Sequence, residues 1–420
     1  MGGRWCWCSA RLVLSACLGV RAVAFNLVRS RTVNGRSWVS GSKRSLRRGA
    51  WLAGACMLAV SCSASSPDTH SPRQAAGGAA ISSQFDAVMD ADAVGTYRKL
   101  RAVRVTVRGK TVFERHFGNA QGASLNVQSV TKTILATLIG IAIDENLLRG
   151  PEQTLGELLP SYRGQMTPQT REITLRQLLT MSGGLPTDDV FLPAVLGTTK
   201  DWVATIFKLG TTKRPGSRFA YSSAGSHLLS AALSDATGRS VLGYAREKLF
   251  NPLGIDTLPA AEPVFAAKES AAYKRAAFAW PADPQGRHFG GAAMKLTASD
   301  LSKLGQLWLD DGAWKGRQLV SKAWMEESQA PQIGTGDGGG GPVATHDYGF
   351  QQWVTTSDGH QAFAALGAAG QMVEVVPDLD LVVVVQSTAP SDLLQGTEPG
   401  TADAPEYLAL VNRLIAPAID

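Results

Sequence analysis

Ser129-Val130-Thr131-Lys132 runs directly into T-I-L-A-T-L-I-G-I-A-I-D at 133–144. Asn126, Val127 and Gln128 before it read as a loop, so the pattern predicts a helix over 129–145 that opens at the serine. That helix is apolar nearly all round, which predicts that it is buried. A serine and a lysine three positions apart lie on one helical face within mutual reach. Such a pair gives a serine nucleophile a base without any histidine. The spacing alone is common: Ser40-Gly41-Ser42-Lys43 repeats it. A serine opening a helix is also an ordinary N-cap. The surroundings of Ser129 must therefore carry the argument.

Upstream, residues 82–101 read as a helix, followed by strands at 103–107 and 111–117 joined by Arg108-Gly109-Lys110, a hairpin signal. Downstream, 152–311 reads mostly as helices and loops, with helices over 175–180, 201–208, 223–237, 241–249 and 298–310. The text then becomes short β-rich runs at 346–355, 362–366, 372–376 and 381–386, before a final helix over 404–416. The economical architecture is α+β: an antiparallel sheet built from the N- and C-terminal strands, flanked by helices, with an all-helical subdomain inserted between them.

The 420 residues carry 41 Lys and Arg against 35 Asp and Glu. Ten of those cations and no acid lie in residues 1–62, so the remainder is slightly acidic, with 31 basic and 35 acidic side chains. The basic balance belongs to the leader, and no nucleic-acid footprint follows from it. Lys43, Arg44, Arg47 and Arg48 precede a short apolar run, 49–60, ending in A-V-S-C at 59–62. This is the pattern of an export signal, too short to span a bilayer. Its end resembles a bacterial lipobox, which implies lipid attachment at Cys62 and a membrane anchor; ordinary signal-peptidase cleavage nearby is the alternative. The expected organisation is a leader over 1–62, a flexible Ser/Pro/Gly/Ala-rich tether over 63–80 and a catalytic domain over 81–420, placed in the cell envelope. All five cysteines (Cys6, Cys8, Cys17, Cys56, Cys62) fall within that leader, so the mature domain is expected to have no disulfide.

Several further motifs stand in order: L-L-T-M-S-G-G-L at 178–185, F-A-Y-S-S-A at 219–224, P-L-G-I at 252–255, G-G-A-A-M-K-L-T-A-S-D-L at 290–301, G-A-A-G-Q at 367–371 and V-P-D-L-D-L-V-V-V at 376–384. With S-V-T-K at 129–132, they make the chain resemble the serine β-lactamase and penicillin-recognising superfamily, in its class C-like branch of esterases, D-amino peptidases and 6-aminohexanoate-dimer hydrolases. The resemblance implies a β-lactamase/transpeptidase-like fold and an acyl-enzyme mechanism. Ser129 would be the nucleophile, Lys132 its base and Tyr221 a proton relay, with the backbone amides of Ser129 and Ala368 as the oxyanion hole. A phenol is a weak base unless a cation lowers its pKa, and Lys132 is expected to do so for Tyr221.

Two positions depart from the family pattern. Ser223 stands where asparagine is usual, as a substrate-binding residue of shorter reach. Ala365-Leu366-Gly367 stands where Lys-Thr-Gly or His-x-Gly is usual, so the cation that would hold a substrate carboxylate is missing, while Gly367 still lets an acyl group approach. The implied substrate is a small-molecule ester or amide lacking that carboxylate. A β-lactamase or D-Ala-D-Ala carboxypeptidase is one alternative, and a catalytically idle envelope binding protein another. The histidines are scattered (His360 either near the site mouth or on a surface loop), with no H-x-H or H-E-x-x-H, and no G-x-S-x-G elbow is present. No metal and no cofactor are expected.

Overall fold

The computed structural model describes residues 72–92, 94–336, 347–390 and 402–419. The leader with Cys62, the Ser40–Lys43 pair and the first part of the tether lie outside the described residues. Helix α1 spans Pro72–Ala91, starting inside the stretch read as a tether and ending ten residues before the expected helix end at 101. Asp92 stops it: its carboxylate accepts the backbone amides of Thr96 and Tyr97, both at 2.7 Å, groups a continuing helix would have used.

Strands β1 (Leu100–Val107) and β2 (Lys110–His116) form the expected hairpin. The strand expected over 346–355 is divided into β4 (Asp347–Tyr348) and β5 (Trp353–Ser357), with β3 (Ile333–Gly334) pairing β4 from upstream. The break follows from Gln351, which takes a left-handed φ of 59° and turns its amide inward. The remaining strands are β6 (His360–Gly367), β7 (Gln371–Val376) and β8 (Leu381–Ser387). Their order across the sheet is β2-β1-β8-β7-β6-β5-β4-β3. The N-terminal hairpin is thus sewn onto the last strand, antiparallel, with Val107 opposite Leu381 and Val103 opposite Val385.

Both faces of the sheet are covered. On one face, Phe363, Ala365, Val373, Val375, Val382 and Val384 join the core around α2 (Val130–Asp144). That core also takes α3 (Leu175–Leu179), α4 (Asp188–Val195), α5 (Trp202–Leu209), α6 (Ser223–Thr237) and α7 (Ala298–Leu309). On the other face Met372, Val383 and Val385 pack with α1 and with α8 (Ala404–Leu410), through residues such as Phe85 and Tyr407. Burial on both faces explains why L-V-V-V-V reads as an unbroken apolar run rather than an alternating one. The inserted region is not wholly helical: three two-residue strands, at 295–296, 278–279 and 260–261, join one at 125–126 in a small sheet beside the start of α2.

Glu374 is the exception on the outer face. It is fully buried on β7 between Ala364 and Val383, and neither carboxyl oxygen closes a hydrogen bond with a described residue. Burial pushes its pKa up to about 8, and the neighbouring Thr355 hydroxyl pulls the other way without closing a bond. A raised carboxyl pKa means that the folded state holds the proton more tightly than the unfolded chain does. Its stabilising contribution is therefore complete below the ordinary value of 4.5 and is lost as pH rises through about 8. Denaturant titrations should show the folded-to-unfolded ratio falling about tenfold per pH unit across that window. In Glu374→Gln that component of the slope should vanish; an unchanged slope would refute the assignment.

Candidate active site

The turn before α2 is held in a sparsely populated backbone state. Gln128 has φ 49°, and three hydrogen bonds pin it there. Its amide donates to Asn126 Oδ1 at 2.9 Å, its carbonyl accepts from Thr131 Oγ1 at 2.7 Å, and the Val127 amide donates to the Met294 carbonyl at 2.9 Å. A non-glycine residue in this region costs on the order of 1 kcal/mol, and such strain collects at functional sites. Ser129 follows with helical dihedrals (φ −71°, ψ −5°), and its side chain makes no capping bond to α2. The N-cap reading of this serine is thereby set aside, and its hydroxyl is left to the groups around it.

Lys132 is among the largest fully buried side chains, at 1% exposure. Its Nζ stands 3.0 Å from Ser129 Oγ and 3.0 Å from Ser223 Oγ, and it donates to the Gly291 carbonyl. Gly291 permits this approach: a Cβ there would lie 2.7 Å from Ser223 Cβ. Burial lowers the lysine pKa to about 8, with the Asp188 carboxylate opposing. At neutral pH roughly one amine in ten is therefore unprotonated and able to accept a proton.

Tyr221 sits just before α6, half-buried, its ring stacked on Trp353 with centroids 6.2 Å apart and planes 17° from parallel. Lys132 Nζ lies 4.8 Å from the centroid of the Tyr221 ring. Burial raises the phenol well above its usual pKa, a hydrogen bond with Ser129 opposes this, and Asp188 adds to it. This corrects the expectation that the Lys132 cation would lower it: loss of solvent dominates, and Tyr221 stays a neutral phenol. Of the two groups, the lysine is the one whose pKa is drawn toward neutrality.

Ser223 opens α6. Its hydroxyl accepts from Lys132 and donates to Asp188 Oδ2 at 2.8 Å, while its amide donates to Asp188 Oδ1 at 2.6 Å. It is engaged on both sides, as a partner of Lys132 and of Asp188. Gly367 ends β6 against the Ser129 turn, where a Cβ would lie 2.6 Å from the Val127 carbonyl oxygen and 3.0 Å from Gln128 Cβ. Ala368 follows as an exposed residue opening the turn to β7. Gly367→Ala should push strand and turn apart and lower kcat/KM about tenfold or more, because small misplacements of reacting groups are costly. Unchanged steady-state kinetics would contradict this. Ala365 is buried in the core beside α2 and presents no cation. His360 lies at the opposite end of β6, seven residues and roughly 23 Å along the strand from Gly367, with Nδ1 3.5 Å from Asp378. It is a surface residue away from the site.

Two contributors were not foreseen. Asp188 follows the S-G-G-L motif as the first residue of α4, where an acid suits a helix start and gives no hint of its partner 35 residues on. Gln351 braces the helices behind the site. Its side-chain amide donates to the Leu178 and Leu179 carbonyls, its Oε1 accepts from Ser226 at 2.7 Å, and its backbone carbonyl accepts from Thr133. Among the described residues no group of three or more His, Cys, Asp and Glu side chains converges as a metal site would require.

Known proteins resemble this chain in sequence and fold. The Beta-lactamase family model matches residues 86–404. The 6-aminohexanoate-dimer hydrolase of Paenarthrobacter ureafaciens is 25% identical over 313 residues, spanning 68% of this chain and 72% of that relative. A penicillin-binding protein homolog from Caulobacter crescentus superposes with a TM-score of 0.59 at 18% identity, covering 82% of this chain and 97% of that one. EstCE1, a hydrolase with promiscuous acyltransferase activity, gives 0.59 at 16% identity, covering 80% and 99%. With the family match extending over most of its length, this chain belongs to the beta-lactamase family of hydrolases.

Proposed function

We propose that the protein is a serine hydrolase that cleaves an ester or amide of a small molecule through a covalent acyl-enzyme. The observation that carries this reading is the meeting of three groups: a serine hydroxyl free of capping duty, a desolvated lysine 3.0 Å away, and a neutral tyrosine hydroxyl against the same serine. Ser129 Oγ attacks the substrate carbonyl carbon as its proton passes to the Lys132 amine. The negative charge that develops on the carbonyl oxygen falls to the backbone amides of Ser129 and Ala368. The bond to the leaving group then breaks as Tyr221 donates its proton to it and regains one from Lys132. Water repeats the sequence on the acyl-enzyme and releases the acid, with Ser129 protonated again.

Ala365 supports a substrate without a carboxylate beside the scissile bond, because a buried methyl group stands where a cation would be needed. The relative named as a 6-aminohexanoate-dimer hydrolase agrees with this direction. The test is labelling by a fluorophosphonate, located at Ser129 by peptide mass spectrometry, alongside turnover of short p-nitrophenyl esters and a chromogenic cephalosporin. We expect labelling, ester turnover and far weaker cephalosporin turnover. An inert protein would sink the hydrolase reading, and equal turnover of both substrates would make it a β-lactamase.

The leader places the enzyme in the bacterial envelope under this proposal, anchored by lipid on Cys62. Mass spectrometry of the membrane-fraction protein should find a diacylglyceryl group on that cysteine; a mature N-terminus without Cys62 would exclude it.

A further inference from the structure

We infer that Asp188 is a positioning residue for this reaction: by fixing the direction of the Ser223 hydroxyl, it reserves the lone pair of the Lys132 amine for Ser129. The inference rests on the proposed serine-hydrolase reading. A neutral amine has two hydrogens and one lone pair. Three oxygens surround Lys132 Nζ: Ser223 Oγ, the Gly291 carbonyl and Ser129 Oγ. The Gly291 carbonyl only accepts, so it takes one hydrogen. A serine hydroxyl either donates or accepts toward a neighbour, so Ser129 and Ser223 would compete for the lone pair if both were free to turn.

Asp188 removes that competition. Its Oδ2 lies 2.8 Å from Ser223 Oγ and its Oδ1 2.6 Å from the Ser223 amide, so the carboxylate is held square to the start of α6 and can only accept. The single hydroxyl hydrogen of Ser223 is thereby directed to Asp188, and Ser223 meets Lys132 with an oxygen lone pair. The two amine hydrogens are then taken by Ser223 and Gly291. The amine lone pair that remains faces Ser129 Oγ, the one group whose proton must be removed. The same carboxylate is the charge that opposes the effect of burial on Lys132. Among the described residues no other charged group acts on the amine with comparable weight: β6 presents Ala365 beside α2, α6 presents Ser223, and Tyr221 contributes a neutral ring.

The test is a double-mutant cycle in kcat/KM for a p-nitrophenyl ester, read at the alkaline plateau where Lys132 is neutral in every variant. In Asp188→Asn the side-chain amide replaces one carboxylate oxygen and donates to Ser223 Oγ, turning its hydroxyl toward Lys132. We expect a loss of about tenfold to a hundredfold, part of the full worth of a general base. Ser223→Ala removes the competing hydroxyl together with one partner of the amine, so it carries a loss of its own, which sets the baseline of the cycle. Adding Asp188→Asn to Ser223→Ala should cost no more than about twofold further. Asp188→Glu, which keeps the carboxylate, should lie closer to wild type than Asp188→Asn, and Asp188→Ala serves in place of the asparagine variant if that protein does not fold. The acid limb of the Asp188→Asn profile should also move to lower pH, since the opposing charge is gone. An equal loss from Asp188→Asn in both backgrounds, with an unmoved acid limb, would overturn the positioning role while leaving the hydrolase reading intact. An inert wild type would overturn both.

Discussion

Ser129→Ala is expected to lose fluorophosphonate labelling entirely and to lower kcat/KM for ester hydrolysis by about 10⁴-fold or more, leaving only what binding and the oxyanion amides supply. The loss should come without a loss of fold. Ser129 makes no capping bond to α2, so removing its oxygen deprives the helix of nothing. Lys132 retains Ser223 and the Gly291 carbonyl as partners. Thermal unfolding should therefore stay within a few degrees of wild type, as for substitutions that create no cavity and strand no charge. A variant that keeps ester turnover would show that another group is the nucleophile. One that unfolds would show that the serine is structural after all.

Lys132→Met carries the second large effect, and here activity and stability should separate. Methionine fills a similar volume but cannot accept the Ser129 proton, so kcat/KM should fall by about 10³-fold. Wild-type activity should rise with pH through about 8, tracking the unprotonated amine, and the variant should lack that limb. Stability should respond in the opposite sense. The folded-state pKa of about 8 lies below the ordinary 10.5, so the folded chain binds this proton less tightly than the unfolded one. Below pH 8 the buried lysine therefore opposes folding, by at most about 3 kcal/mol, and the penalty is relieved as pH rises from about 8 toward 10.5. Lys132→Met should melt at or above the wild-type temperature below pH 8, with the difference shrinking at higher pH. A lower melting temperature across the whole range would mean that the lysine's hydrogen bonds stabilise the fold more than its burial opposes it.

Over much of the chain local pattern and burial agree. The apolar run after Ser129 could only be a buried helix, and V-V-V-V at 382–385 could only be an interior strand once helices were available for both faces. Pattern and burial part where a side chain captures backbone or side-chain groups that its residue type does not announce. Asp92 ends α1 by capturing amides four and five residues ahead, and Gln351 splits a strand in order to brace α3 and α6. Neither residue differs in type from the many aspartates and glutamines that do nothing of the kind.

At the site, spacing along the chain was enough to pair Ser129 with Lys132, because one helical turn fixes their separation whatever surrounds them. Ordered motifs were enough to nominate Tyr221, Ser223 and Gly367, and to notice that Ala365 lacks a charge. Direction and proton affinity were not legible in that way. Whether Lys132 is drawn down toward neutrality, whether Tyr221 is lowered or raised, and which way the Ser223 hydroxyl points all depend on lost solvent and on a carboxylate from another helix. Burial and through-space charge are sums over everything within a few ångströms, and chain position says little about who those neighbours are. The Ser129–Lys132 pair was written in one turn of sequence; its fitness to move a proton was settled by folding Asp188, Ser223 and Gly291 around it.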